Sequence, residues 1–506
     1  MKNRMMFKKP SMALASACAA MLLGAYSAPM SAAPAKPAMA ERALLISIDG
    51  MHAIDLTLYV KNNPTSTLAQ LSRRGITYPN ARTPLLGDSS PGLLSLTTGG
   101  SPATTGVIYS PTYDRNLSPP SSKDCSVRGT VVYIDEKAVK DYNREDSGGG
   151  IDSNKLPRDP AKGCSPVYPR ALVRVNNVFD VVKRAGGRTA WIDQHDMYNE
   201  LLKGPAGSYL DDSRALERKG APMTVEGVTG QDGRRVDLLL NQIRGLDSSG
   251  KNKVGVPKVF GMGFISTGVL QKAAGHGYVD ALGTPSAGVK ATLDATDKQL
   301  GRIVAELKAQ RLFDSTLIVI SSKHGQSPVD IERRRVIDRN VIRNAVNGVQ
   351  PGLLAHASLD AIGLIWLKDA SKTDAVVAAL RAMQKEAGIQ KIYWGEASRA
   401  LVNSPAEDSR APDIVLQPEL GAFYADSLDS EATRTLIAEH GGMQDEDTNV
   451  PLLVSFAGAK GTVNKASVQT SQVAPTILFA LGLNPAALRA VQIEGTQALP
   501  GLQAME

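Results

Sequence analysis

Long apolar runs are almost missing from this chain of 506 residues. Past the first forty residues no segment is apolar enough to cross a bilayer, which excludes a polytopic membrane protein. No internal repeat is found, which excludes solenoids and propellers. Aromatic residues make up only 5% of the chain. No run of Lys and Arg interleaved with aromatics occurs, so no nucleic-acid surface is expected. Cysteine is scarce, at three residues.

The one apolar run stands at the N-terminus. "MKNRMMFKKP" carries Lys2, Arg4, Lys8 and Lys9, and "SMALASACAAMLLGAYSA" and small residues follow. This order of basic, apolar and small segments is that of a secretory leader. Residues 1–40 are therefore expected to be leader and linker, cut between Ala33 and Ala40. Cys18, within "LASACA", makes a poor lipoprotein box. The formal charge of +7 loses those four cations with the leader, leaving about +3. A secreted or periplasmic protein is expected. Cys125 and Cys164, the pair left in an exported chain, are expected to form a disulfide.

The remainder, about 41–500, reads as a single domain in which strands alternate with helices. "RALLISI", "RTAWID", "KVFGMGFI", "STLIVISS", "AIGLIWL", "DIVLQP" and "VPLLVSF" read as strands. "SSPGLLSLTT", "ALVRVNNVFDVVKRAG", "DLLLNQIRGL", "GVKATLDATDKQLGRIVAELKAQRL", "TDAVVAALRAMQ" and "VAPTILFALGL" read as helices. That alternation predicts an α/β fold: a doubly wound, mostly parallel sheet with helices on both faces. The stretch from about Ile108 to Pro169, rich in Pro, Gly, Ser, Lys and Asp, reads as a polar surface insertion held by the disulfide.

Polar residues at strand ends of such a sheet converge on one edge. Asp49 ends "LLISI" and is a candidate metal ligand, or a turn residue before Gly50. Ser89 and Ser90 open a helix, where free N–H groups suit an anion, or where a serine simply caps. Of the six histidines, His324 and His440 precede glycine, His276 lies in "AAGHGY", and His195 lies past a strand beside Asp193. His52 and His356 have no such setting and read as surface or packing residues.

Taken in order, "SIDGM", "GDSSPGLLSLTTGG", "GHGY", "ISSKHGQ", "EHGGMQDEDTNVPLLVS" and "QVAPTILFALGL" resemble the alkaline phosphatase superfamily, closest to its type I phosphodiesterase/nucleotide pyrophosphatase branch. The resemblance implies an alkaline phosphatase-like fold and hydrolysis of a small-molecule phosphate ester or diester, nucleotides included. It implies zinc or another divalent metal, one or two ions, beside a Ser or Thr nucleophile. Ser89, two residues before a proline, takes the nucleophile's place. Asp49 and His324 fall on ligands of one metal, and His276 and His440 on ligands of the other. Gly92 stands where the family has a phosphate-contacting asparagine, and Ser90 joins it as a substrate contact.

The resemblance breaks at two carboxylates. Lys323 replaces the aspartate before His324, and Lys272 falls where another aspartate is expected. Each exchange changes the local charge by two units, and a protonated ammonium cannot ligate. Three outcomes follow. Lys323 and Lys272 supply positive charge in place of metal, as in a catalytic role for Lys323 and substrate binding by Lys272; Asp193 and His195 substitute as ligands; or the site is inactive and binds anions. A sulfatase-like hydrolase is the alternative on the same fold.

Overall fold

The computed structural model describes residues 38–216, 223–402, 408–426, 428, 430 and 434–502. Of the expected leader and linker, residues 1–37 lie outside the described residues, whereas Met39 and Ala40 donate their N–H groups to the Ala480 carbonyl and Ala40 is buried in the core. Among the described residues no helix is long and apolar enough to cross a membrane.

An eight-stranded sheet forms the centre. Its order is Thr462–Val463, Gly75–Thr77, Leu452–Ser455, Thr316–Ser321, Arg42–Ile48, Val259–Phe264, Thr189–Asp193 and Asp212–Ala215. The strands from Thr316–Ser321 to Asp212–Ala215 run parallel, and Leu452–Ser455 pairs antiparallel with Thr316–Ser321. The three central strands are buried on both faces, which is why they read as continuous aliphatic runs.

Alternation along each strand divides its side chains between two cores. Ala43, Leu45, Leu317 and Val319 pack with Leu93 and Leu94, Val178 and Phe179, and Ile477, from helices Ser89–Thr98, Val178–Arg184 and Val473–Ala480. Leu44, Ile46, Ile318 and Ile320 pack on the opposite face with Leu239 and Ile303, from helices Val225–Ile243 and Ala287–Ala309. Truncating one such residue to alanine costs about 2–5 kcal/mol.

Three sequence expectations need correction. "AIGLIWL" and "DIVLQP" do not join the main sheet. Gly363–Leu367 and Ile414–Pro418 pair antiparallel in a separate four-stranded sheet with Leu354–Leu359 and Ile389–Trp394. This sheet has its own core with helices Arg339–Val349 and Thr373–Ala382. A fully buried antiparallel strand and a parallel one share the same short apolar signature, so periodicity could not separate them. Second, the helix read through "ALVRVNNVFDVVKRAG" begins only at Val178, because Asn177 caps it by accepting from the N–H groups of Phe179 and Asp180.

Third, the 108–169 segment is more than a polar cover. It is built of turns and short ribbons, among them Thr112–Asp114 with Thr130–Val132 and Arg158–Asp159 with Ser165–Pro166. Yet Leu117, Val132, Ile134, Leu156 and Val167 are buried in the main core. A Cys125–Cys164 disulfide ties it, with Cα atoms 5.8 Å apart.

Candidate active site

The parallel strands deliver their C-terminal ends to one edge. Asp49 follows Ile48, and its N–H donates to the Phe264 carbonyl at 2.9 Å. Gly50 then turns the chain at φ 70°; a Cβ there would lie 2.3 Å from Gln271 Oε1 and 2.8 Å from Gly268 Cα. Only glycine fits that turn. The adjacent strand Thr316–Ser321 runs into Ser322, Lys323 and His324, where Ser322 Oγ donates to the His324 carbonyl at 2.6 Å.

Helix Ser89–Thr98 enters from the side, with Asp88 at its N-cap and Ser89 as its first residue. It lies hard against the lysine segment: a Cβ on Gly92 would fall 2.1 Å from the Lys323 carbonyl oxygen. This close approach is what brings Ser89 to His324.

Three groups meet there. Ser89 Oγ lies 2.9 Å from His324 Nε2. Asp49 Oδ1 lies 3.1 Å from the same nitrogen and 3.5 Å from Lys323 Nζ. His324 Nδ1 lies 2.8 Å from the Gly325 carbonyl, which can only accept, so Nδ1 carries the proton. Nε2 therefore faces both neighbours: without a proton it accepts from the Ser89 hydroxyl, and with one it donates to the Asp49 carboxylate. Burial alone would raise Asp49, but the Lys323 ammonium and then His324 hold its carboxyl well below the usual range.

Lys323 is set behind this group. Its side chain is 2% exposed and its ammonium stands 4.7 Å over the ring of Tyr198. It does not line the open cleft, so its charge reaches a substrate only through Asp49 and the field.

The cleft itself, about 710 Å³, is lined by Asp49, Ser89, Tyr198, Lys272, His276 and His440, with Ile134, Asp135 and Glu136 from the 108–169 segment on its wall. His440 stacks on His324 with ring centroids 3.9 Å apart. Burial lowers its pKa well below the ordinary value, and His324 and Lys272 push the same way, so the ring is neutral at pH 7. Lys272 forms an ion pair with Glu439, next to His440. His276 reaches the cleft wall, but its Nδ1 is buried without a hydrogen-bond partner, pressed to the helix start at Gly288.

Several expected contacts fall elsewhere. Ser90 is fully buried and does not line the cleft. Gly92 donates its N–H to the Asp88 carbonyl inside the helix and serves the close approach rather than a substrate. The Asp193 carboxylate accepts from Trp191 Nε1 at 2.7 Å and from the Gln194 N–H at 2.8 Å. His195 lines the cleft with its ring 5.0 Å from that of Tyr198.

Four residues escaped the sequence reading. Asp88 is buried beside His440, its Oδ1 3.6 Å from Nδ1, and burial pushes its pKa up to about 6. Glu439 partners Lys272, and the signal was an acid directly before the "HG" pair. Tyr198 closes over Lys323. His52, read as an ordinary histidine, is buried at the centre of a network. Its Nε2 accepts from the Gln326 N–H at 3.0 Å, and its Nδ1 lies 3.1 Å from Asp55 Oδ2 and 2.8 Å from the Tyr278 hydroxyl. Tyr278 also meets Gln271. The network thus braces the loop after His324 against the helix before Lys272. His356 matches its reading as a packing residue, stacked on Tyr113.

The donor set does not suit a pair of divalent ions. An ammonium stands 3.5 Å from Asp49, a second ammonium is paired beside His440, and among the described residues no three His, Cys, Asp or Glu side chains converge as a metal-binding group.

The type I phosphodiesterase / nucleotide pyrophosphatase family pattern matches residues 43–443. No curated protein matches the chain. Among solved structures, murine ectonucleotide pyrophosphatase / phosphodiesterase 5 is similar at 14% identity and a TM-score of 0.58, covering 88% of this chain and 96% of that one. An inactive variant of the murine protein in complex with AMP matches equally well. A mutant of alkaline phosphatase PafA, 12% identical, also gives a TM-score of 0.58, with 88% and 96% covered. At such identities these likenesses establish the fold.

Proposed function

We propose a mechanism for a chain that belongs to the type I phosphodiesterase / nucleotide pyrophosphatase family, and is thereby a phosphoester hydrolase: Ser89 is its nucleophile and His324 its general base. The observation that carries this reading is the 2.9 Å approach of Ser89 Oγ to His324 Nε2 at the mouth of a helix and a cleft.

In the first step Ser89 Oγ bonds to phosphorus, its proton passes to His324 Nε2, and the bond to the leaving oxygen breaks. The imidazolium then has two N–H donors, one toward Gly325 and one toward Asp49, whose carboxylate stabilises it. At the N-terminus of helix Ser89–Thr98 the Ser90 N–H is the amide proposed to meet a non-bridging oxygen, because Pro91 has no N–H and the Gly92 N–H donates to the Asp88 carbonyl. Lys272, on the cleft wall, is the cation that a substrate meets. In the second step water attacks phosphorus and the Ser89 ester bond breaks. His440, kept neutral by burial, takes the water proton and passes it to solvent, where it balances the oxyanion released in the first step, while His324 returns its own proton to Ser89.

The family generally depends on divalent metal, and zinc is the cofactor the sequence resemblance implied; no step here passes through one. The substrate proposed is a phosphate diester or nucleotide ester. The cleft volume suits a ligand of that size, and a structural neighbour was solved with AMP. Export is proposed as well, supported by the leader pattern and the Cys125–Cys164 bridge.

The test is turnover of bis-p-nitrophenyl phosphate and a nucleotide p-nitrophenyl ester, with p-nitrophenyl sulfate as the sulfatase control. Ser89→Ala abolishes turnover and leaves the circular dichroism spectrum unchanged; His324→Ala lowers it by about 10²–10⁴. Undiminished hydrolysis by Ser89→Ala would overturn the assignment.

A further inference from the structure

We infer that this chain works without bound divalent metal, its two cation positions being filled from within by the ion pairs Lys323–Asp49 and Lys272–Glu439. The inference rests on Ser89 being the nucleophile, since that fixes which side chains surround the reacting phosphorus.

The first support is charge. A dication is held where carboxylates leave net negative charge to be neutralised. Here Asp49 is balanced by an ammonium at 3.5 Å, and Glu439 is balanced by Lys272. Neither Asp49 nor Glu439 is left over to neutralise a dication, which leaves Asp88 beside His440 as the remaining acid of the site, and a dication entering either half meets a fixed positive charge. The second support is valence. The one free lone pair of His324, on Nε2, is faced by Ser89 Oγ at 2.9 Å and by Asp49 Oδ1 at 3.1 Å. Asp193, the nearest spare carboxylate on a strand end, is bound to Trp191 and to backbone. The third support is access. His276 turns a buried nitrogen against the helix at Gly288, which leaves at most one to the cleft.

An internal ammonium differs from a metal in kind. It carries one charge rather than two, cannot be chelated away, and cannot polarise a water molecule as a Lewis acid. The site is therefore suited to a substrate whose leaving group needs little help, and aryl esters fit that better than alkyl ones.

The experiment has two arms on the leaderless full chain. In the first, metal content is measured by elemental analysis after passage over a chelating resin, and zinc affinity by competition with a chromogenic chelator. The wild type carries no stoichiometric metal and competes weakly. Restoring acids at both places, in a Lys272→Asp, Lys323→Asp variant, creates zinc binding. Because even outer-shell partners change metal affinity by about 10- to 100-fold, the gain should reach at least about 100-fold. Should the double variant fail to fold, Lys272→Asp alone, at the more exposed pair, gives a smaller gain in the same direction. Stoichiometric zinc in the wild type, or equal affinity in wild type and variants, overturns the inference.

In the second arm, diester turnover is measured with and without chelator. Turnover that survives chelation supports the inference. Turnover lost on chelation and regained with zinc overturns it while leaving Ser89 as nucleophile untouched. A metal-free chain that hydrolyses none of the esters, with or without added zinc, overturns the hydrolase mechanism and with it the claim that the chain works without metal, while the affinity arm still decides whether the two ion pairs fill the cation positions.

Discussion

The two lysine–carboxylate pairs of the site carry the same charges in very different surroundings. Lys323 and Asp49 are 2% and 13% exposed, the ammonium walled in by Tyr198; Lys272 and Glu439 are 23% and 18% exposed, and Lys272 stands on the cleft wall. In the first pair the ammonium has no alternative partner in water. In the second, a phosphate entering the cleft can compete with Glu439 for the ammonium. The closed pair is thus suited to fixing the geometry of Asp49, His324 and Ser89, and the open pair to receiving substrate.

Four substitutions sharpen or break that contrast. Lys323→Met removes one partner of the closed pair and strands a buried carboxylate, which should cost about 3–5 kcal/mol in urea unfolding. A loss under about 1 kcal/mol would mean that the two pairs are alike after all.

Asp88→Asn acts between the pairs. Burial raises the Asp88 carboxyl to about 6, above an unfolded value of about 3.9. The folded state therefore holds the proton longer, and this group makes stability fall as pH rises from about 4 to about 6. Asparagine removes that fall, so the variant should gain up to about 3 kcal/mol at pH 8 and nothing below about pH 4. Asp49 works with the opposite sign: its carboxyl is held low, so its contribution is full above about pH 4 and is lost as acid protonates it. Thermal unfolding against pH, with and without Asp88→Asn, separates the two.

His52→Ala should cost about 1–3 kcal/mol by leaving the Gln326 N–H, Asp55 and Tyr278 without their buried partner. Because the network spans both halves, kcat should fall along with stability. Lys272→Ala should shift stability by less than about 1 kcal/mol and raise KM for diesters more than it lowers kcat. A fall in kcat with KM unchanged would instead place the Lys272 contact in the transition state alone.

Much of the frame was readable in the residues. Aliphatic strands alternating with amphipathic helices announced a parallel sheet, and Asp49 and His324 follow directly from strands that run side by side. Local pattern could not say which lysine would be buried, because that depends on Tyr198 and Gly92 arriving from distant segments. Nor could it separate Gly363–Leu367 from a main-sheet strand, since burial on both faces erases the alternation that would have told them apart. Asp88 and Glu439 sat inside the quoted motifs, yet an acid gains meaning only once its partner, His440 or Lys272, is known in space. Ser90 and Asp193 erred the other way: hydroxyl and carboxylate of the right kind, on the right stretch, already engaged or turned inward by the fold.

The contact at Gly92 has a mechanical side. With no hydrogen-sized gap between the serine helix and the lysine backbone, hydroxyl and imidazole behave as parts of one casting rather than as two jaws that can be adjusted. A methyl group at that seam would act as a shim, prising the reacting atoms apart while every one of them remained chemically intact.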